Sequence, residues 1–127
     1  MAEKEAKFRF VNYQILESSI KIDSDQVPNQ KLQVDFEQTI GVDDGERKMR
    51  LLFSTKIQDE NAFVSLFVRA EGFFEFDVDL PEEHKDVFFK ANAPAILFPY
   101  IRSYITTLTA LSGIPPIILP TLNLSQR

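Results

Sequence analysis

The sequence predicts an α+β fold: a four-stranded antiparallel meander sheet, a long helix packed on one face, and an extended proline-rich C-terminal segment. Three observations predict it. Apolar and polar residues alternate through four successive stretches between residues 8 and 80, the period-two signature of half-buried strands. Helical spacing begins only after them, so strands and helix are segregated along the chain as α+β domains require. Finally, Pro115, Pro116 and Pro120 crowd the end of the chain. Their missing N–H groups exclude a helix interior or a central strand.

The first strand spans 8–22, FRFVNYQILESSIKI, with a change of face expected near Glu17 to Ser19. The second, 31–42, alternates cleanly: Leu32, Val34, Phe36, Ile40 and Val42 point one way, and Lys31, Gln33, Asp35, Glu37 and Thr39 the other. DDGE, 43–46, is a hairpin turn in which Asp44 and Gly45 supply residues that tolerate positive φ. The third strand, 47–58, places Met49, Leu51, Phe53 and Ile57 inward, and DEN, 59–61, turns again.

From Ala62 to Leu80 every even position is apolar or glycine. One straight strand of that length would run about 60 Å at ~3.3 Å per residue. A domain of this size has a radius of gyration of only ~14 Å, so the strand must bend, coil or outrun its neighbours. Gly72 is the expected place for a bulge. Phe63, Phe67 and Phe73 fall on the odd, polar face. They reflect either face-switching around that bulge or an apolar patch on an outer surface, which would mark an interaction site.

LPEEHKDVFFKANAP, 80–94, starts a helical turn or two with acidic residues at its front, where they suit the helix dipole. APAILFPYIRSYITTLTALSG, 93–113, then carries Leu97, Ile101, Tyr104, Leu108 and Leu111 at steps of four and three, one amphipathic face. Pro94 suits a helix start, Pro99 would kink the first turns, and Gly113 suits a C-terminal stop. The other side, with Ser103, Thr106, Thr107 and Thr109, is small and uncharged apart from Arg102. That leaves a helix–helix contact or a quiet surface.

The 127 residues are 44% hydrophobic and 26% charged, enough for one core in a single domain, 1–127. A net charge of −5 makes nucleic acid a poor partner and an acidic sheet face suits a basic polypeptide. With no cysteine there is neither a disulfide framework nor a thiolate metal site. MAEKEAK lacks an apolar signal core and no run of 18 apolar residues exists, so a cytoplasmic, soluble protein without direct membrane insertion is expected.

Nothing asks for an active site. His84 sits alone in PEEHKD, and DSDQ (23–26) and DDGE lack calcium-loop spacing. The glycines at 41, 45, 72 and 113 form no phosphate loop. A non-enzyme without cofactor or metal is the expectation. The tail, by contrast, needs covering. Burying Ile114, Ile117, Ile118, Leu119 and Leu122 would contribute about 8–15 kcal/mol at ~1.5–3 each, as much as the net stability of a whole domain.

In residues 93–124, APAILFPYIRSYITTLTALSGIPPIILPTLNL, the chain resembles the SecB family of protein-export chaperones. ILFPYIRSYITTLT and the following G-x-P-P-x-x-L-P-x-L-N-L are the specific parts, and SLFVRAEGFFEF (65–76) resembles the family's last strand with its central glycine. The resemblance implies a cytosolic, ATP-independent holdase, a homotetramer built as a dimer of dimers. Its sheets face outward and its long helices pack between subunits, which would make Ser103, Thr106, Thr107 and Thr109 interface residues. Unfolded clients would lie in apolar grooves between the sheet and the connection after the main helix. The implied client-binding residues are Phe63, Phe67, Phe73, Ile114, Ile117, Ile118, Leu119 and Leu122, with the tail's side chains split between core and groove.

The resemblance further implies docking on the SecA translocase motor through outer-sheet carboxylates. Asp23 matches one of them and Asp35 and Glu37 are further candidates, while Ser19 and Phe67 stand where two carboxylates are expected. The second helix that follows the connection in typical members is expected to be missing. Three readings of function stay open: a general holdase in protein export, a SecB-like chaperone dedicated to one client such as an antitoxin, and a structural or ligand-binding oligomeric domain. Accessibility of Phe63, Phe67, Phe73 and the tail separates them.

Overall fold

The computed structural model describes residues 7–121. β1 (Phe8–Ile22), β2 (Leu32–Asp43), β3 (Lys48–Asp59) and β4 (Val64–Phe76) form one antiparallel sheet. A helical run follows: α1 (Glu82–Val87), a π-helical turn (Phe88–Asn92) and α2 (Ala93–Leu111). The α+β class, the four antiparallel strands and the long helix on one face are as the sequence predicts. The meander, however, covers only β2, β3 and β4. β1 pairs with β4, giving the order β1-β4-β3-β2. Residues 23–31 make the crossing over the ends of β4 and β3, a span of ~15 Å at ~4.8 Å per strand that such a length of chain covers easily.

Asp59 fixes this crossover. Its buried carboxylate accepts the Val64 N–H on Oδ1 and the Asn29 N–H on Oδ2, both at 3.0 Å. One side chain thereby ties the β3–β4 turn to the crossing segment, and the hydrogen bonds are what make a buried carboxylate tolerable. The Asn61 amide adds a bond to the Val27 carbonyl at 2.9 Å.

β4 has no bulge at Gly72. Its residues alternate buried and half-buried without a break through all 13 positions, and the strand ends at Phe76, short of Leu80. Gly72 sits beneath α2: a Cβ there would come within 3.1 Å of Phe74 and 3.2 Å of Leu97. The irregularities lie in β1, where Val11 and Leu16 are the extra residues between Phe10 and Asn12 and between Ile15 and Glu17. Each bulge shifts parity by one, so Phe10, Tyr13, Ile15, Ser18 and Ile20 all face inward. In the β2–β3 turn the left-handed residue is Arg47 (φ 53°), not Asp44 or Gly45. It closes a four-residue loop whose first turn is capped by Asp43 Oδ1 accepting the Glu46 N–H at 3.1 Å.

Leu97, Ile101 and Ile105 of α2 are fully buried against Leu51, Phe53, Val68 and Ala70. Ile105 and Thr109, rather than Tyr104 and Leu111, continue the buried stripe, and Leu111 is exposed. Steps of four residues rotate a stripe by ~40° each time around a helix of 3.6 residues per turn, and the twisted sheet below favours that drift. The π turn is explained by Pro94: it has no N–H for the Lys90 carbonyl, and Ala93 instead donates to Phe88 five residues back. Pro99 lies inside α2 without ending it.

Candidate functional site

The tail folds back on the helix that precedes it. Gly113 (φ 86°) provides the left-handed turn after α2. Thr109 Oγ1, wholly buried, accepts the Ile117 N–H at 2.9 Å while donating to the Ile105 carbonyl at 2.8 Å. Thr106 Oγ1 donates to the Ile117 carbonyl at 2.8 Å. Ile117 is thus gripped at both backbone polar groups by two threonines one turn apart. Extended geometry then alternates the side chains: Ile117 and Leu119 are buried, Ile118 is 70% exposed, and Ile114 is half-buried.

Several expected roles change accordingly. Thr109 is buried and Thr106 is bonded to the tail, so both make intrachain contacts. Ser103 and Thr107 are exposed. Ile117 and Leu119 are buried with the core, whereas Ile118 is open. Leu122 lies outside the described residues.

The flanks of α2 place the tail relative to the sheet. Phe98, Thr106 and Thr109 share one flank, and the Phe98 ring meets Phe36 of β2 edge-on at 5.7 Å. The opposite flank leans on β1, with the rings of Tyr100 and Tyr13 4.7 Å apart and Tyr104 Oη 2.7 Å from Ser18 Oγ. The tail therefore runs along the β2 side of the helix. α2 packs mainly on β4, β1 and β3, which leaves the inner row of β2 incompletely covered. Leu32 is 39% and Val42 44% exposed, and Val34, Phe36 and Ile40 are half-buried. The alternation in β2 reveals this row as an inner face. That it lies at a sheet edge beyond the helix depends on strand order, which the alternation does not encode.

The expected aromatic residues do not join it. Phe67 and Phe73 lie half-buried on the outer face of β4, opposite Lys56 and Arg50 of β3. Phe63 precedes β4 and packs at the margin of the core. The outer face is concave at one end, where a cavity of about 560 Å³ reaches from Val11 and Asn12 of β1 across Phe73 and Arg50 to Gly41 of β2.

Nor is the outer face acidic. The register aligns Asp43, Lys48, Glu75 and Arg9 in one row across all four strands, and Glu37, Ser54, Arg69 and Glu17 in another. Charges alternate along the rows. Asp23 lies just past β1, its N–H on the Phe63 carbonyl and its carboxylate accepting the Asp25 N–H. Asp35 and Glu37 are on β2, at the opposite edge, with Lys56 and Arg69 between. The three carboxylates do not form one patch. His84 is exposed on α1. Among the described residues no cluster of His, Cys, Asp or Glu is placed to hold a metal ion, and no helix is long and apolar enough to cross a membrane.

The family model for the preprotein translocase subunit SecB matches residues 11–126. An uncharacterized protein of Methanocaldococcus jannaschii is 44% identical over 62 residues, 49% of this chain and 39% of that protein. The protein-export protein SecB of Methylobacillus flagellatus is 31% identical over 70 residues, 55% of this chain and 43% of that protein. The chain thus matches less than half the length of these curated relatives. A Mycobacterium tuberculosis SecB-like chaperone, solved in complex with a ChAD peptide from the HigA1 antitoxin, has the same fold: TM-score 0.77 at 18% identity, over 92% of this chain and 88% of that one.

Proposed function

The chain belongs to the SecB family, and from that premise we propose that it is an ATP-independent holdase that binds unfolded polypeptides on the inner row of β2, beside the tail. The observation that carries the reading is the incomplete cover of that row together with the outward Ile118. A holdase needs apolar surface that is wide and undemanding of sequence, since it binds unfolded chains and keeps them from aggregating. Covering the open halves of Leu32, Val34, Phe36, Ile40, Val42 and Ile118 would contribute about 5–9 kcal/mol gross. Ordering the client subtracts from this, so each segment binds weakly and reversibly, as holding without trapping requires.

The test is dilution of a denatured, slow-folding protein into buffer without nucleotide, followed by light scattering. Stoichiometric wild type suppresses the scattering. Val42→Asp with Ile118→Asp, both exposed positions, keeps the far-UV spectrum and loses suppression. A wild type that suppresses nothing, or a double variant that suppresses as well as wild type, overturns the reading.

A second, narrower reading is a chaperone dedicated to one client. The antitoxin peptide bound by the M. tuberculosis neighbour favours it, as do the alternating charges of the outer face, which give SecA docking through Asp23, Asp35 and Glu37 little support. Suppression confined to a single client would select it over a general role in cytoplasmic protein export. In either case assembly, as a tetramer or otherwise, draws on Ser103, Thr107 and the exposed Tyr100, because Thr106 and Thr109 are occupied.

A further inference from the structure

We propose that the outer face of the sheet carries a binding site for a small phosphomonoester, its phosphate held by Lys21 and Lys56 and its apolar body resting on Phe67. The site lies on the face away from α2 and goes beyond the holdase reading. β1, β4 and β3 bring six outward side chains into two adjacent rows there: Ser19, Phe67 and Lys56 in one, Lys21, Ser65 and Gln58 in the next. Together they line a hollow of about 160 Å³. Pockets for drug-sized molecules run to about 300–1,000 Å³, so the occupant is small.

The chemistry of this lining is one-sided. Each of its polar side chains can donate a hydrogen bond, and no carboxylate is among them. Lys21 and Lys56 are exposed and form no ion pair among the described residues. That is a local excess of positive charge on a chain of net charge −5. The nearest carboxylates in the register are Asp35, across from Lys56, and Glu17, across from Arg69, and both lie outside the hollow. Arg69 is the next outward residue of β4 after Phe67. It is half-buried, and its Nε is buried without a hydrogen-bond partner among the described residues. An unpaired buried donor is costly, and an anion seated beside it offsets part of that cost.

Charge and size select the ligand. The two lysines stand roughly 12 Å apart at the backbone, given strands ~4.8 Å and residues ~3.3 Å apart, a gap that two long side chains can close on one anion. A phosphomonoester carries about −1.5 to −2 charge near pH 7, enough for both ammonium groups, whereas a carboxylate matches only one. Lysine serves phosphate well as a point charge. The half-buried Phe67 ring between them adds an apolar floor, which an inorganic anion would leave unused.

The test titrates the full chain in phosphate-free buffer with phenyl phosphate, inorganic phosphate or benzoate, and follows amide shifts by two-dimensional NMR. Phenyl phosphate should shift Ser19, Lys21, Lys56, Ser65 and Phe67 saturably, binding at least fivefold more tightly than either of the others. Lys21→Gln with Lys56→Gln should weaken it at least tenfold while the rest of the spectrum stays in place. Phe67→Ala should lower phenyl phosphate to the affinity of inorganic phosphate, and Lys90→Gln, on the helical side, should change nothing. Shifts that do not saturate, or that spread over lysines elsewhere, would mean an adventitious ion only and overturn the proposal. So would unchanged affinity in the double lysine variant. Inorganic phosphate binding as tightly as phenyl phosphate would give the site to the free anion and overturn the phosphomonoester.

Discussion

Two buried threonines should respond in opposite directions to the same substitution. Thr109→Val removes the hydroxyl that accepts the Ile117 N–H at 2.9 Å in a fully buried site. The helix carbonyls that it also contacts keep their own backbone partners, so the loss is one orphaned N–H, about 1–3 kcal/mol. The tail can limit that loss by undocking and returning the amide to water, so local exchange is more sensitive than global unfolding. Hydrogen exchange at the Ile117 amide should accelerate by about 5–150-fold, the range corresponding to 1–3 kcal/mol. Thr109→Ser keeps the hydroxyl and should restore most of the protection. Thr55 is equally buried, but its hydroxyl finds no partner among the described residues. There the valine removes an unpaired polar group, and stability to urea should rise by about 1 kcal/mol or more. Unchanged exchange at Ile117 in Thr109→Val, or equal loss in the serine variant, would refute attachment of the tail through that hydroxyl.

Three further outcomes follow from individual contacts. Asp59→Ala orphans the buried N–H of Val64 and the part-buried N–H of Asn29 and should cost about 2–4 kcal/mol in urea unfolding, whereas Asp59→Asn keeps one carbonyl acceptor and should lose less. Gly72→Ala should cost about 1–3 kcal/mol by overpacking against Phe74 and Leu97; in the same urea assay, combining it with Leu97→Ala should be less than additive, since the space is then freed. Lys85 has its pKa raised, chiefly by the hydrogen bond to Glu82 against some desolvation, with Glu82 and Asp44 adding charge attraction. The folded chain therefore holds this proton more tightly than the unfolded one. The stabilisation is complete below the ordinary lysine value and is lost as pH rises through the raised one, so the stability difference between wild type and Lys85→Met should shrink there and on adding salt.

Strand identity was legible because burial on one face leaves a period of two that nothing else in the chain imitates. Strand order was less so: β1 beside β4 depends on a crossover whose anchor, Asp59, looks in sequence like any turn aspartate. The bulges at Val11 and Leu16 were hidden because both residues are apolar and pass as members of an alternating strand. The hydroxyl face of α2 divides: Thr106 and Thr109 hold the chain's own tail while Ser103 and Thr107 stay exposed, a division that the shared small, polar character of the four residues does not reveal. Phe67 and Phe73 needed no special account. With no bulge in β4, odd positions stay on the outer face, opposite the side on which the tail docks.

The open edge of β2 raises a difficulty that bears on how the molecule could work. A regular, proline-free edge with an apolar row beneath it is a template for self-pairing and aggregation. Asp35, Glu37 and Asp43 line that edge on its other face, and the chain carries net charge −5. Their charge opposes pairing between copies of the same edge. Asp35→Asn with Glu37→Gln keeps size while removing that repulsion. The protein alone should then associate with concentration, scattering light and gaining β-structure signal. A variant that stays as dispersed as wild type at every concentration would show that the acidic row is not what keeps copies of this edge apart.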